Sequence, residues 1–256
     1  MAKGVLLDLG GVVYEGDRLL PGAADAIARL HDSGIPLRFL TNTTRAPKHR
    51  ILKRLKDFGL EVSPDEIFTP AQAACAWLSA RGLTPFLVVH PDLVDEFSGL
   101  EGPNGEAVVI GDVGEALTYT QLNAAFRRLI DGAEFLALAN NRTFKDSDGA
   151  LSLDAGAFVA ALQFATQRTP HVLGKPSRDF FATALQSIGC ALEDAVMVGD
   201  DAENDVAGAL SAGLGQAVLV RTGKYRVGDE TRVTPAPTAT VANLAEAADW
   251  ILSQGA

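Results

Sequence analysis

A chain of 256 residues can form one large α/β domain or a core carrying a smaller inserted one. Hydrophobic residues make up 47% and charged residues 21%, an ordinary globular balance that argues against disorder. A formal net charge of −10 repels phosphate backbones and anionic lipid, so neither nucleic acid nor membrane is expected as a partner.

In chain order, the same unit recurs: a short apolar run, a polar ending, then a segment with helical spacing. Val5-Leu6-Leu7 ends at Asp8, with Gly10-Gly11 just beyond. A carboxylate there stands at a sheet edge, where glycines let the backbone pass close to a ligand. Leu37-Arg38-Phe39-Leu40 ends at Thr41-Asn42, followed by Thr43 and Thr44. Their hydroxyls and amide, with the free N–H groups of a helix start, suit phosphate oxygens, although Thr/Asn runs also serve as plain helix caps. Ile51, Leu55 and Phe58 then fall at i, i+4 and i+7 of a helix.

From about 82 to 169 the alternation continues without comparable polar endings. Apolar runs at Pro85–Val89, Ala107–Ile110 and Phe135–Ala139 alternate with helical patterns at Tyr119–Ile130 and Ala155–Ala165. This stretch reads as an inserted α/β domain, leaving 1–81 and 170–256 as the core. Asn140-Asn141-Arg142-Thr143-Phe144-Lys145 offers cationic and aromatic groups, and Arg142 is the preferred substrate contact, although an arginine on a loop is more often simply solvated.

His171-Val172-Leu173 ends at Gly174-Lys175, and Pro176-Ser177 opens a helix with Phe181, Leu185 and Ile188 on one face. Lys175 is not a Walker lysine, because Thr169 stands where that motif needs its first glycine. Val196-Met197-Val198 ends in Gly199-Asp200-Asp201-Ala202-Glu203-Asn204-Asp205. So many carboxylates at one strand-to-helix junction repel each other unless a cation sits among them, and oxygen-only ligands suit a hard ion such as Mg²⁺.

Strand–helix alternation implies a doubly wound parallel sheet, in which ligands bind beyond the carboxyl ends of the strands. All four polar endings are therefore expected to converge on one sheet edge. Cys75 and Cys190 are isolated thiols, no metal-binding Cys/His spacing occurs, and the apolar run before Asp8 is too short for a signal peptide. A cytoplasmic protein is the expectation.

In this order, Asp8, Thr41-Asn42, Lys175 and Asp200 with Asp205 resemble the four motifs of haloacid dehalogenase phosphatases. The insertion resembles the type-2 cap of subfamily IIA. The resemblance implies that Asp8 attacks phosphorus, forming an aspartyl-phosphate, and that Thr41, Asn42, Thr43 and Lys175 hold the phosphoryl group. It implies Mg²⁺ on the Asp8 carboxylate, the Gly10 carbonyl and Asp200, with Asp201 and Asp205 orienting the water around the metal. The partner implied is a small phosphorylated substrate, and an exposed cap face leaves room for a homodimer.

One position departs from the family pattern. Most members carry an acid/base Asp two residues after the nucleophile, where this chain has Gly10. General acid–base catalysis contributes roughly 10²–10⁴-fold, so slow turnover of alkyl esters is expected, with pyrophosphate, acyl phosphates and P–N bonds favoured. The same glycine leaves two alternatives to a full phosphatase: a weak enzyme, or a pseudo-phosphatase that binds phospho-ligands or partner proteins. A nucleotide-dependent oxidoreductase shares the sheet, but the chain lacks GxGxxG.

Overall fold

The computed structural model describes residues 2–145, without the Lys145 side chain, and 150–254. The chain divides into two compact units, one of residues 1–41, 52–68 and 175–256, the other of 42–51 and 69–174.

Among the described residues of the first unit, six parallel strands form one sheet. Its order is Ala239–Val241, Gln216–Val220, Ala195–Gly199, Gly4–Asp8, Leu37–Leu40 and Ile67–Phe68. The chain winds outward in both directions from Gly4–Asp8, the doubly wound arrangement expected. Gly4–Asp8 and Ala195–Gly199 are buried along their whole length, as continuous apolar runs in a parallel sheet must be. Register places Asp8 beside Leu40, and Leu7 beside Val198, so three polar endings leave the sheet side by side.

Two helices of this unit show why the surrounding layer forms. Ala23–Asp32 buries Ala23, Ala26, Ile27 and Leu30, and Leu244–Ser253 buries Leu244, Ala247, Ala248 and Ile251. Both sets follow i, i+3, i+4, i+7, one apolar stripe per helix. The second helix starts where the Asn243 side chain accepts the Glu246 N–H at 3.1 Å.

The second unit repeats the pattern with a four-stranded parallel sheet, ordered His171–Val172, Glu134–Ala137, Glu106–Ile110 and Thr84–Val88. Its core gathers Val108, Ile110, Phe135, Val159 and Leu162 from sheet and helices. The expected helix Tyr119–Ile130 is present, opened by Thr118 and Gln121 in a reciprocal cap. Another reciprocal cap, of Thr69 with Gln72, starts Pro70–Arg81. This unit takes in residues on both sides of the 82–169 stretch singled out from the sequence.

One expectation is corrected. His171–Leu173 is expected from the sequence in the same sheet as the other three endings, but His171–Val172 pairs with Leu136 and Ala137 in the second unit's sheet. A two-residue strand carries too little pattern to say which sheet accepts it. Lys175 therefore enters the first unit from a crossing segment and not from a neighbouring strand.

Candidate active site

The site forms where the fully buried Gly4–Asp8 strand runs out. Asp8 is 7% exposed, Asp200 2%, Asp205 1% and Lys175 3%, a density of buried charge that demands compensation. Lys175 Nζ donates to Asp8 Oδ1 at 2.5 Å and ion-pairs with Asp205 Oδ1 at 2.7 Å. Asp8, Asp200 and Asp205 each bring an oxygen within 4.8 Å of the others.

Lys175 thus pairs with two of these three carboxylates, Asp8 and Asp205. At 4.8 Å, two like charges repel by about 3 kcal/mol in an effective dielectric of about 20. A proton or a cation has to relieve this. Burial first, then Asp8 and Asp205, pushes the Asp200 carboxyl up to about 8. Burial likewise raises Asp205, with Lys175 opposing it. Burial works against the Lys175 charge, yet Asp205 and Asp8 outweigh it and hold the ammonium above its ordinary value.

The donor set fits a hard divalent cation. Among the described residues, Asp200 Oδ1 is buried without a hydrogen-bond partner, while Oδ2 accepts the Lys224 N–H at 2.7 Å. A buried carboxylate oxygen of this kind, beside two further carboxylates, suits a hard divalent cation.

The junction after Ala195–Gly199 turns wide. Residues Ala202–Ala207 form a π-helical turn that Asp201 caps, accepting from the N–H groups of Glu203 at 3.1 Å and Asn204 at 2.9 Å. Burial opposes the Asp201 charge, but Lys224 and Asn204 outweigh it and hold its carboxyl below the ordinary range. Asp205, expected outside the metal's ligands, is one of the three converging carboxylates.

On the other side, the backbone after Asp8 is shaped by a two-strand hairpin, Tyr14–Glu15 with Arg18–Leu19. Gly11 N–H donates to the Tyr14 carbonyl at 2.8 Å, and Arg54 stacks 4.6 Å over the Tyr14 ring while bonding Asp17 at 2.8 Å. Gly11 has φ 82°, and a Cβ there would strike the Asp200 carboxylate. Gly10 is different: it is exposed, and a Cβ there meets open space.

The remaining expected residues divide by unit. Thr41 is buried directly after Leu37–Leu40 in the first unit. Asn42 and Thr43 are half-buried and belong to the second, as does Arg142, which is exposed just before the hairpin strand Thr143–Lys145. Sequence reasoning missed Thr222, Gly223 and Lys224. The signal was available, because the apolar strand Gln216–Val220 also runs out into polar and glycine residues.

Residues 5–101 match the family model for haloacid dehalogenase-like hydrolases, and residues 172–247 match a second, HAD-hydrolase-like model. The haloacid dehalogenase-like hydrolase domain-containing protein 2 of Bos taurus is 42% identical over 250 residues, spanning 98% of this chain and 96% of that protein. The chain belongs to the haloacid dehalogenase-like hydrolases.

Within that family, the phospholysine phosphohistidine inorganic pyrophosphate phosphatase of Xenopus laevis is 41% identical, over 98% of this chain and 95% of its own length. Among solved structures, a p-nitrophenyl phosphatase from Archaeoglobus fulgidus superimposes with a TM-score of 0.88 at 25% identity, covering 97% of this chain and 99% of that one. NagD from E. coli K-12 follows with a TM-score of 0.86 at 25% identity, covering 96% and 98%. This haloacid dehalogenase-like hydrolase is a phosphatase, and no helix among its described residues is long and apolar enough to cross a membrane.

Proposed function

We propose that the protein hydrolyses small phosphorylated substrates with Mg²⁺, through a phosphoryl group carried on Asp8. The observation that carries this reading is the buried Asp8–Lys175–Asp205–Asp200 cluster with its orphaned Asp200 oxygen. Asp8, Asp200 and the Gly10 carbonyl would hold the cation, with Asp201 and Asp205 orienting the water around it. When bound, Mg²⁺ supplies positive charge against the phosphoryl oxygens.

A carboxylate oxygen of Asp8 attacks phosphorus, and the bond to the leaving group breaks with its electron pair on that group. Lys175, held beside Asp8, offsets charge on the phosphoryl oxygens, helped by hydrogen bonds from Thr41, Asn42 and Thr43. Water then attacks phosphorus, the Asp8–phosphorus bond breaks, and inorganic phosphate leaves with the carboxylate restored.

Gly10 supplies no proton to the leaving group. Good leaving groups are therefore preferred: pyrophosphate, acyl phosphates and the P–N bonds of phosphohistidine or phospholysine. The name of the Xenopus laevis relative, with its phosphorylated amines and pyrophosphate, supports the same preference. We read 82–169 as the cap that selects substrate, with Arg142 as a contact. The free thiols Cys75 and Cys190 support a cytoplasmic setting.

The test is a phosphate-release assay on pyrophosphate and p-nitrophenyl phosphate with Mg²⁺ added or withheld. Turnover should require Mg²⁺ and fall on the order of 10⁴-fold or more in Asp8→Asn. Equal rates for wild type and variant would remove Asp8 from the mechanism.

A further inference from the structure

The loop after Gln216–Val220 is used by none of the chemistry above, yet it touches the cation site at two places. The Lys224 N–H donates to Asp200 Oδ2 at 2.7 Å. Two residues earlier, the Thr222 hydroxyl donates to the Gly11 carbonyl. Between them, Gly223 has φ 60°, and a Cβ there would strike both the Asp200 carboxylate and the Gly11 backbone. The loop, the glycine turn after Asp8 and the Asp200 carboxylate are thus packed against one another with no room for a methyl group.

We infer that Thr222-Gly223-Lys224 is a positioning latch for the cation: it occupies one oxygen of Asp200 and so presents the other as a single, fixed ligand. The inference rests on the reading of Asp200 as a metal ligand. An unrestrained carboxylate can turn about its last bond and offer either oxygen, or both, to a cation. Here the Lys224 N–H holds Oδ2, and Oδ1 is left buried and free of protein partners among the described residues. Partners that fix a metal-binding carboxylate in this way govern affinity nearly as strongly as the ligands do.

The Thr222 bond extends the effect to the other side of the site. It ties the loop to Gly11, the neighbour of the carbonyl proposed to bind the same ion. The latch therefore sets the separation of two proposed ligands that come from different strands. Lys224 contributes mainly through its backbone. Its ammonium lies 3.1 Å from Asp201 and acts chiefly on that carboxylate.

The test is calorimetric titration of the full-length protein with Mg²⁺ alone, using Thr222→Val, Thr222→Ser and Gly223→Ala, with Asp200→Asn as reference. Thr222→Val and Gly223→Ala should weaken Mg²⁺ binding roughly 10–100-fold. Thr222→Ser, which keeps the hydroxyl, should bind as wild type does, and Asp200→Asn should abolish binding. Wild-type affinity in both Thr222→Val and Gly223→Ala, with binding lost in Asp200→Asn, would overturn the latch and leave the metal site standing. Undiminished binding in Asp200→Asn would overturn both.

Discussion

The two units are built by the same rules and differ in how densely they bury charge. Each is a parallel sheet covered by amphipathic helices with side-chain caps. Among the described residues, the first buries Asp8, Lys175, Asp200 and Asp205 around the ends of two neighbouring strands. Among the described residues, the second buries Asp112, ion-paired with Arg45 and accepting the Gly114 N–H, and Asp154, accepting the Ala155 N–H; it exposes large apolar side chains such as Phe164 at 89% and Tyr119 at 81%. A parallel sheet offers a crevice at its carboxyl edge; only residues placed at the strand endings turn that crevice into a charged site.

The comparison can be broken most forcefully through stability. Lys175→Met leaves Asp8 and Asp205 buried against each other, which should cost about 3–5 kcal/mol. Phe135→Ala, in the core of the second unit, should cost a similar amount, about 3–5 kcal/mol, by leaving a cavity. The two should separate on adding Mg²⁺: denaturant melts should show partial recovery for Lys175→Met and none for Phe135→Ala beyond what wild type gains. Identical responses would mean that charge does not distinguish the units.

A smaller effect is expected at Gly10. The space beside its Cα admits a side chain, so Gly10→Asp should fold normally and raise kcat/KM on alkyl phosphates by roughly 10²-fold. Pyrophosphate, which needs less protonation, should gain little. No gain on either substrate would count against the missing proton donor as a limit on turnover of alkyl esters.

The smallest effect is a pH dependence. The Asp200 carboxyl sits near 8 in the folded protein against an ordinary value near 3.8. A raised acid favours the folded state fully below its ordinary value, and that contribution is lost as pH rises through about 8. The cation-free protein should therefore lose stability over that range, and Mg²⁺ should take over the proton's part. Thermal melts should show a larger Mg²⁺-induced rise in Tm at about pH 8.5 than at about pH 6. An equal rise would detach the cation from Asp200.

Much of the site was legible because its residues end apolar runs. Asp8 ends, and Asp200 follows, strands buried from end to end, and short apolar runs bounded by turn residues suit such strands. Lys175 does meet Asp8, but not from a strand of the same sheet as expected, since a two-residue segment such as His171–Val172 can pair wherever an edge is free. The part played by Asp205 depends on the wide turn through Ala202–Ala207, which helical spacing alone does not foresee. The latch was hidden because its decisive groups are a main-chain N–H and an absent side chain. The run-out of Gln216–Val220 into polar residues and a glycine marks the place, but not the main-chain N–H or the close approach that matter there.

The central claim is that phosphorus passes through Asp8. Rapid acid quench of the enzyme turning over a ³²P-labelled substrate, followed by peptide mapping, tests it most directly. The account predicts label on the peptide containing Asp8, formed and lost at rates compatible with turnover. Phosphate released at the full rate with no label on that peptide would contradict it.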